Sequence, residues 1–542
     1  MGIRTAMGNT LSRHAGGERA GRHLSGHPMA VGALAALAAG IYSVFALARY
    51  YTFKTSSYDL VIFDEAVRSY AHFMPGISII KGLHNGFGPH FSILGDHWSP
   101  IIASLAPLYW IFNSPVTLLV AQAVLFALAI PPLWLFTRRA FGGGSEATTA
   151  AYLVSVAYAL GWPIASALAF DFHEVAFAPV LTAVALERLQ AGRLRTALIA
   201  LAALLLVKED MGLLIAGIGL YLVAARPRVV RRQLAVGGAL IIAGLAASLV
   251  AIYLLIPAFG GRSGYYWAYT ALGRDGPQAL AHLVTHPGSL RLLVTPRVKL
   301  ETMLWLLGAF CFLPLLSPIT LAVVPLLAER MLANLFPYWW GTSYQYNAYL
   351  VIILACAAVD GAARLDRVWQ ARRRPAAGGE DEGGEAPAAG SQAVPRTGAV
   401  GLACAAAMCA VAVVLVPHFA FGPALRPSFY QRNAQAKAAA AADAAVPSGV
   451  TVQAVDNLGP QLSARDTVLL WDGNGSTPPL GSAWVVASIS RPQFTFASVR
   501  EQRQRVALLE RHGYQVVFQR DGYLVLHRGG SRAGAADAKE SS

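Results

Sequence analysis

Acidic side chains stand close to the apolar runs of this chain, and they are of the types that transfer protons. The stretch "YDLVIFDEAV" (58–67) carries Asp59, Asp64 and Glu65 a few residues after the first long apolar run ends. A carboxylate near a hydroxyl group can act as its general base. Adjacent helical residues point about 100° apart, so Asp64 and Glu65 cannot both face one atom. We predict a catalytic role here, with Asp64 as the base and Glu65 beside it; a helix-starting acid pair is the alternative.

Two further polar stretches carry groups suited to metal or phosphate binding. "GDHWSP" contains Asp96 and His97, and "LLVKEDMGLL" contains Lys208, Glu209 and Asp210. Carboxylates bind Mg²⁺ or Mn²⁺, imidazole can join them, and lysine can bind phosphate. The predicted metal ligands are therefore Asp96, His97, Glu209 and Asp210, and His97 and Lys208 are also predicted to bind phosphate. Helix capping and a solvated hairpin turn are the respective alternatives.

Two more stretches supply secondary candidates. In "DFHEV" the residues Asp171, His173 and Glu174 are candidate ligands or proton carriers. An interfacial turn with an acid pair at a helix N-terminus is the alternative, and the pattern slightly favours it. The stretch "LAERMLANLFPYWWGTSYQYNAY" (327–349) is rich in aromatic residues, which suits either an aromatic belt at the membrane interface or a platform for sugar rings or a lipid chain. The polar residues here that are predicted to bind substrate are Arg330, Asn334, Tyr346 and Asn347.

Composition places these groups in a membrane protein. The 542 residues are 55% hydrophobic and 13% charged, whereas soluble chains carry about 25% charged residues. The net charge of +14 comes from basic residues in short loops between apolar runs, which argues against nucleic-acid binding. These loops follow even numbers of apolar runs, which predicts a multi-pass protein of the cell membrane with about eleven spans and a cytoplasmic N-terminus.

The predicted fold is mostly α, a polytopic α-helical membrane protein with a small C-terminal extracytoplasmic α/β domain. The predicted segments are a basic cytoplasmic tail (1–28), a multi-span domain (29–363) with large outer loops (49–99 and 257–298), a disordered cytoplasmic linker (364–397), a last span (398–417), the α/β module (418–529) and a disordered tail (530–542). In that module "VTVQAV", "DTVLLWD" and "SAWVVASI" predict strands, "SVREQRQRVALLERHG" predicts a helix, and Asp521-Gly522 predicts a hairpin turn. A binding or lid role suits it better than separate catalysis.

Several motifs resemble one family in combination. "YDLVIFDEAVRSYAHF", "GDHWSPIIASLAPLYWIFNSPVTLLVAQAVLFAL", "LLVKEDMGLL" and "ERHGYQVVFQRDGYLVLHR" are similar to the bacterial and archaeal membrane proteins grouped as domain of unknown function 2079, from about Tyr50 to Arg528. That family resembles, more distantly, the GT-C superfamily of glycosyltransferases, which use a polyprenyl-phosphate sugar as donor and place an essential acid in the first extracytoplasmic loop. The resemblance implies that Asp64 fills this role. The chain lacks a clean Asp-x-Asp motif, so the resemblance implies no particular metal.

The resemblance also implies the partners: a polyprenyl-phosphate sugar, membrane lipid, and an acceptor outside the cytoplasm that is a cell-envelope glycan, a lipid or a protein. Two other classes remain open. A transporter or lipid flippase would favour charges in mid-span and a repeat between halves, and neither is evident in the sequence. In a non-catalytic membrane scaffold, the acids would only mark the interface.

Overall fold

The computed structural model describes residues 27–225, 231–262, 264–373, 398–472 and 482–529. The predicted disordered C-terminal tail, most of the linker, and nearly all of the basic N-terminal tail lie outside the described residues. So does most of the basic loop "RPRVVRR".

Helices make up most of the described chain. In chain order the α-helices are α1 (His27–Tyr51), α2 (Ile62–Ala71), α3 (Ile79–His84), α4 (Ala106–Ile111), α5 (Pro115–Ala127), α6 (Ile130–Ala140), α7 (Gly144–Ala159), α8 (Trp162–Ala169), α9 (Phe177–Gln190), α10 (Leu194–Leu204), α11 (Met211–Ala224), α12 (Arg231–Val250), α13 (Ile256–Ala258), α14 (Gly276–Thr285), α15 (Arg297–Gly308), α16 (Val324–Leu332), α17 (Ala348–Arg373), α18 (Ala399–Leu415), α19 (Ala434–Ala444), α20 (Gly459–Leu462) and α21 (Val499–Arg511). Two π-helical turns, Ser57–Val61 and Ala251–Leu255, adjoin α2 and α13.

Six helical stretches in the described chain are long and apolar enough to cross a membrane. They are His27–Tyr51, Pro115–Ala140, Gly144–Ala169, Arg231–Ala258, Gln345–Arg373 and Ala399–His418. Three shorter apolar stretches, Pro100–Ile111, Leu194–Leu204 and Met211–Ala224, lie between them. The prediction of a mostly helical chain with several helices able to cross a membrane is confirmed, whereas the number of eleven spans stays a prediction.

The stretch Gln345–Arg373 lies at the centre of the helical bundle. In its most apolar window 83% of the residues are buried, against 22% in Arg231–Ala258 and in Ala399–His418. Helices α9 and α18 and the turn Leu313–Leu316 pack around it. The two less buried stretches therefore form the outer wall of the bundle, where their apolar side chains are left for lipid.

Helices α11 and α12 approach each other through glycines. A Cβ atom on Gly244 would lie 2.3 Å from the carbonyl oxygen of Gly212, and one on Gly212 would lie 2.2 Å from that of Gly244. Small residues of this kind allow helix backbones to pack closely where lipid supplies no hydrophobic driving force.

The C-terminal part is a five-stranded mixed sheet with helices packed on it. Its strands are β1 (Thr451–Ala454), β2 (Thr467–Leu470), β3 (Trp484–Ser488), β4 (Gln515–Arg520) and β5 (Tyr523–His527), in the order β2-β1-β3-β5-β4. Strand β1 pairs in parallel with β2 and β3, whereas β5 pairs antiparallel with β3 and β4. The predicted strands, helix and Asp521-Gly522 hairpin are confirmed, and both turn residues have positive φ. We call Ala434–His527 the C-terminal module.

The close approach of α11 and α12 predicts the effect of one methyl group. Gly244→Ala should lower the free energy of unfolding by about 1–3 kcal/mol, because an overpacked contact has to move apart. The measurement is the thermal unfolding midpoint in one detergent. Gly238→Ala, in the same helix but with nothing within 4 Å of the added Cβ, is the control and should leave the midpoint unchanged or slightly raised. Equal midpoints for the two variants would contradict the close contact.

Candidate active site

Asp59 lies in the π-helical turn Ser57–Val61, between the end of α1 and the start of α2. Turns of this kind often occur at functional sites. Its carboxylate is 24% exposed and lies 3.4 Å from Nε2 of His173, whose own side chain is almost buried. Phe170 stacks on the His173 ring and Phe63 packs against it edge-on. These contacts hold the imidazole beside an accessible carboxylate.

The turn that carries His173 is fixed by a buried amide. Gln122 donates to the carbonyl oxygen of Asp171 at 2.5 Å and accepts from the backbone N–H of His173 at 3.0 Å. Asp171 has a positive φ, and its carboxylate accepts from the backbone N–H of Ser56 at 2.6 Å. Burial raises the pKa of Asp171 to about 7. Asp171 therefore ties the turn after α8 to the loop that precedes Asp59.

Lys208 supplies the positive charge of this region. Its ammonium nitrogen lies 3.4 Å from a carboxylate oxygen of Glu174. Burial alone would lower the pKa of Lys208, but the carboxylates of Glu174, Asp210 and Glu209 outweigh it and hold the pKa well above its usual value. Lys208 and Asp59 are both within electrostatic reach of Tyr346. We call Asp59, His173, Glu174, Lys208 and Tyr346 the central polar cluster.

A second pair, Lys81 and Asp96, is buried next to tyrosines. The ammonium nitrogen of Lys81 lies 3.0 Å from Asp96, and the Tyr266 hydroxyl donates to the same carboxylate oxygen at 2.6 Å. Burial would raise the pKa of Asp96, but Lys81 and His97 outweigh it and lower it. The hydroxyl of Tyr58, one residue before Asp59, lies 3.4 Å from the Lys81 nitrogen. Lys81 therefore connects the Asp59 loop to the Tyr266 segment.

The predicted metal ligands make separate contacts in the structure. His97 lies 2.7 Å from Glu209, and the backbone N–H of Trp98 donates to the other oxygen of Glu209 at 3.1 Å. Burial would lower the pKa of His97, but the Glu209 carboxylate outweighs it and raises it. Over the described ranges, no group of three or more His, Cys, Asp or Glu side chains is arranged to hold a metal ion. Metal binding by Asp96, His97, Glu209 and Asp210 stays a prediction.

Asp64 and Glu65 point in different directions from α2, as adjacent helical residues must. The Asp64 side chain is completely buried, and its two oxygens accept from Arg68 and from the Tyr109 hydroxyl, each at 2.7 Å. Glu65 accepts from the Ser78 hydroxyl and from the backbone N–H of Ile80 at the start of α3. Both carboxylates thus have hydrogen-bond donors from neighbouring segments, and their catalytic role stays a prediction.

The predicted substrate-binding residues before α17 hold the aromatic loop in place. Arg330 is buried and donates to the carbonyl oxygens of Trp339 and Tyr346 and to the side-chain oxygen of Asn347. Asn334 accepts from the backbone N–H of Ala271 and donates to a nearby hydroxyl. Of this group, the structure brings only Tyr346 to the central polar cluster. Arg330 binds the carbonyl oxygen of Tyr346 and the side chain of Asn347, and it therefore supports Tyr346.

Two residues of this region were not among the predicted site residues. The sequence shows Asp59 as one acid of its stretch, but the predicted base is Asp64. Of the three acids, Asp59 lies closest to the end of α1, and this position is its signal. Lys81 is a single lysine within the apolar "IIKGL". A lone cation in an apolar run indicates a buried ion pair, but the sequence does not identify its partner.

Three comparisons with known proteins complete the description. The sequence profile of DUF2079, described as a predicted membrane protein, matches residues 49–525. No curated protein matches the chain. One similar solved structure is that of ArnT from Cupriavidus metallidurans bound to undecaprenyl phosphate: 14% of residues are identical, the match covers 94% of this chain and 99% of that chain, and the TM-score is 0.49.

The Lys81–Asp96 pair generates a test of the polar region. Lys81→Met should lower the free energy of unfolding by about 3–5 kcal/mol, because it leaves a buried carboxylate without its cation. The Lys81→Met/Asp96→Asn double variant should recover much of that loss. Thermal unfolding in detergent measures both, with Lys437→Met, an exposed position of α19, as the control. A single variant as stable as the control would contradict the pairing.

Proposed function

The chain belongs to the DUF2079 family of predicted membrane proteins, and we propose that it is an integral membrane glycosyltransferase of the GT-C type. It would transfer a sugar from a polyprenyl-phosphate donor to an acceptor outside the cytoplasm, which is an envelope glycan, a lipid or a protein. The observation that carries the proposal is the central polar cluster. It joins an accessible carboxylate to a buried ammonium group close to the ends of apolar helices.

The cluster supplies a residue for each role that such a transfer needs: a general base and a cation for the departing phosphate. Asp59 takes the proton of the acceptor hydroxyl as its oxygen attacks the anomeric carbon. The bond from that carbon to the lipid phosphate breaks, and Lys208 stabilises the departing phosphate. His173 keeps Asp59 oriented, and Tyr346, together with Tyr338 and Tyr344, lines the approach with aromatic surface for the sugar or the prenyl chain. The bond made and the bond broken thus lie between a base and a cation.

This proposal assigns the base to Asp59 in preference to Asp64. Both carboxylates lie in the loop after α1, where the GT-C resemblance places the essential acid. The Asp64 side chain is 0% exposed and paired with Arg68, whereas that of Asp59 is 24% exposed. A base has to reach the acceptor hydroxyl within hydrogen-bonding distance, and only the exposed carboxylate offers that approach. Asp64 then serves to hold α2 against α4.

The proposed arrangement in the membrane follows the charge pattern of the loops. About eleven spans, with a cytoplasmic N-terminus and the C-terminal module on the outer side, place the central polar cluster at the outer surface. A polyprenyl-phosphate sugar held in the outer leaflet would enter from the lipid, and the acceptor would enter from the aqueous side.

Asp59→Asn should lower sugar transfer by about 10²–10⁴-fold, the usual contribution of a general base. The protein in nanodiscs is given a panel of radiolabelled polyprenyl-phosphate sugars together with candidate acceptors, and the release of lipid phosphate is followed. Asp64→Asn should keep kcat within a few-fold of wild type while lowering the unfolding midpoint.

Glu301→Gln serves as the control, because this carboxylate is exposed and pairs only with Arg297 in the described chain. Full turnover by Asp59→Asn would contradict the role of Asp59, and a folded but inactive Asp64→Asn would return the role to Asp64. Loss of turnover on treatment with EDTA, reversed by Mg²⁺ or Mn²⁺, would add the predicted divalent cation to the site.

A further inference from the structure

The C-terminal module forms hydrogen bonds with the loop that carries Asp59. Asp456 lies in the turn after β1, and its two carboxylate oxygens accept from the Ser56 hydroxyl at 3.1 and 3.0 Å. One of them also accepts from the backbone N–H of Tyr58 at 3.1 Å. The main-chain oxygen of Asp456 accepts from the N–H of Ser57 at 2.7 Å and from its hydroxyl at 2.6 Å. One residue of the module therefore holds three consecutive residues that end next to Asp59.

Neighbouring residues of the module extend this contact toward α1. The Gln461 side chain donates to the carbonyl oxygen of Tyr50 at 2.8 Å. In the opposite direction, the Tyr50 hydroxyl donates to the carbonyl oxygen of Pro460 at 3.2 Å. The fit is close, since a Cβ atom on Gly459 would lie 2.1 Å from the hydroxyl oxygen of Ser57. The module is thus seated on the loop through backbone and side-chain bonds together.

The loop is held from the other side as well. The backbone N–H of Ser56 donates to Asp171, which belongs to the same turn as His173. Asp59 is therefore placed between two supports, the turn after α8 and the module. If the Asp456 carboxylate is removed, the Ser56 hydroxyl and the Tyr58 N–H lose their acceptor. Ser57 stays bound to the main-chain oxygen of Asp456, and the N–H of Ser56 stays bound to Asp171.

We propose that Asp456 is a positioning residue for Asp59, so that the C-terminal module completes the active site. The inference rests on the proposed function, and it adds a role for a module that carries no catalytic motif of its own. Asp456 acts through the Ser56–Tyr58 backbone and does not itself contact substrate. A misplacement of about 1 Å at a reacting group can cost about 10²-fold in rate, so the effect should be seen in kcat.

Two variants and a control test this role in the full-length protein in nanodiscs. Asp456→Ala removes the acceptor, Asp456→Asn keeps an oxygen that can accept, and Glu510→Ala changes an exposed acid of α21 in the same module. Sugar transfer should show kcat at least tenfold lower in Asp456→Ala, with the donor KM within about threefold of wild type. Asp456→Asn should recover most of kcat, and Glu510→Ala should match wild type.

A second readout needs no turnover. Hydrogen exchange at the amide of Tyr58, which donates to the Asp456 carboxylate, should be at least tenfold faster in Asp456→Ala, while exchange in α17 stays unchanged. An unchanged exchange rate, or a wild-type kcat in Asp456→Ala, overturns the positioning role. A third outcome is that wild-type protein turns over no donor while Asp456→Ala still exchanges faster than wild type. That outcome overturns the proposed function, but the structural support of Asp59 by the module stands.

Discussion

Charge taken out of water needs a partner, and this requirement determines how the polar region is built. Three pairs join segments that are separate in sequence: Lys81–Asp96, Lys208–Glu174 and His97–Glu209. The contacts that neutralise buried charge therefore also fix the loops relative to one another. Asp59 differs from these acids, because its side chain is the most exposed of the four. A carboxylate with part of its surface exposed can be reached by a substrate hydroxyl.

The helical architecture could be predicted because lipid imposes a simple rule on sequence. A span has to bury about twenty apolar residues and satisfy its own backbone hydrogen bonds, and runs such as His27–Tyr51 and Ala399–His418 show this directly. The hairpin at Asp521-Gly522 could also be predicted from the sequence, since few residue types accept a positive φ. The span count was harder to obtain, because short helices such as Met211–Ala224 do not reach the length that the rule uses.

The candidate site was predicted in part, and the reason for the gap is geometric. The stretches that contain Asp59, His173 and Lys208 were all identified from their charge. The sequence could not tell which acid of "YDLVIFDEAV" is accessible, because a π-helical turn changes the rotation of every residue that follows it relative to a regular α-helix. The sequence also could not pair Lys81 with Asp96 or Ser56 with Asp456, since no periodicity links residues of separate segments.

The contact between Ser56 and Asp456 spans 400 residues of sequence. A ribosome synthesises the chain from its N-terminus, so the loop after α1 leaves it long before β1 exists. During that interval Ser56, Ser57 and Tyr58 lack the acceptors that hold them in the finished protein. The helices that precede β1 are therefore synthesised while the Ser56–Tyr58 segment is still without its contacts to Asp456. A protein cut short before β1 would keep the loop after α1 but lack the contacts that Asp456 makes with it.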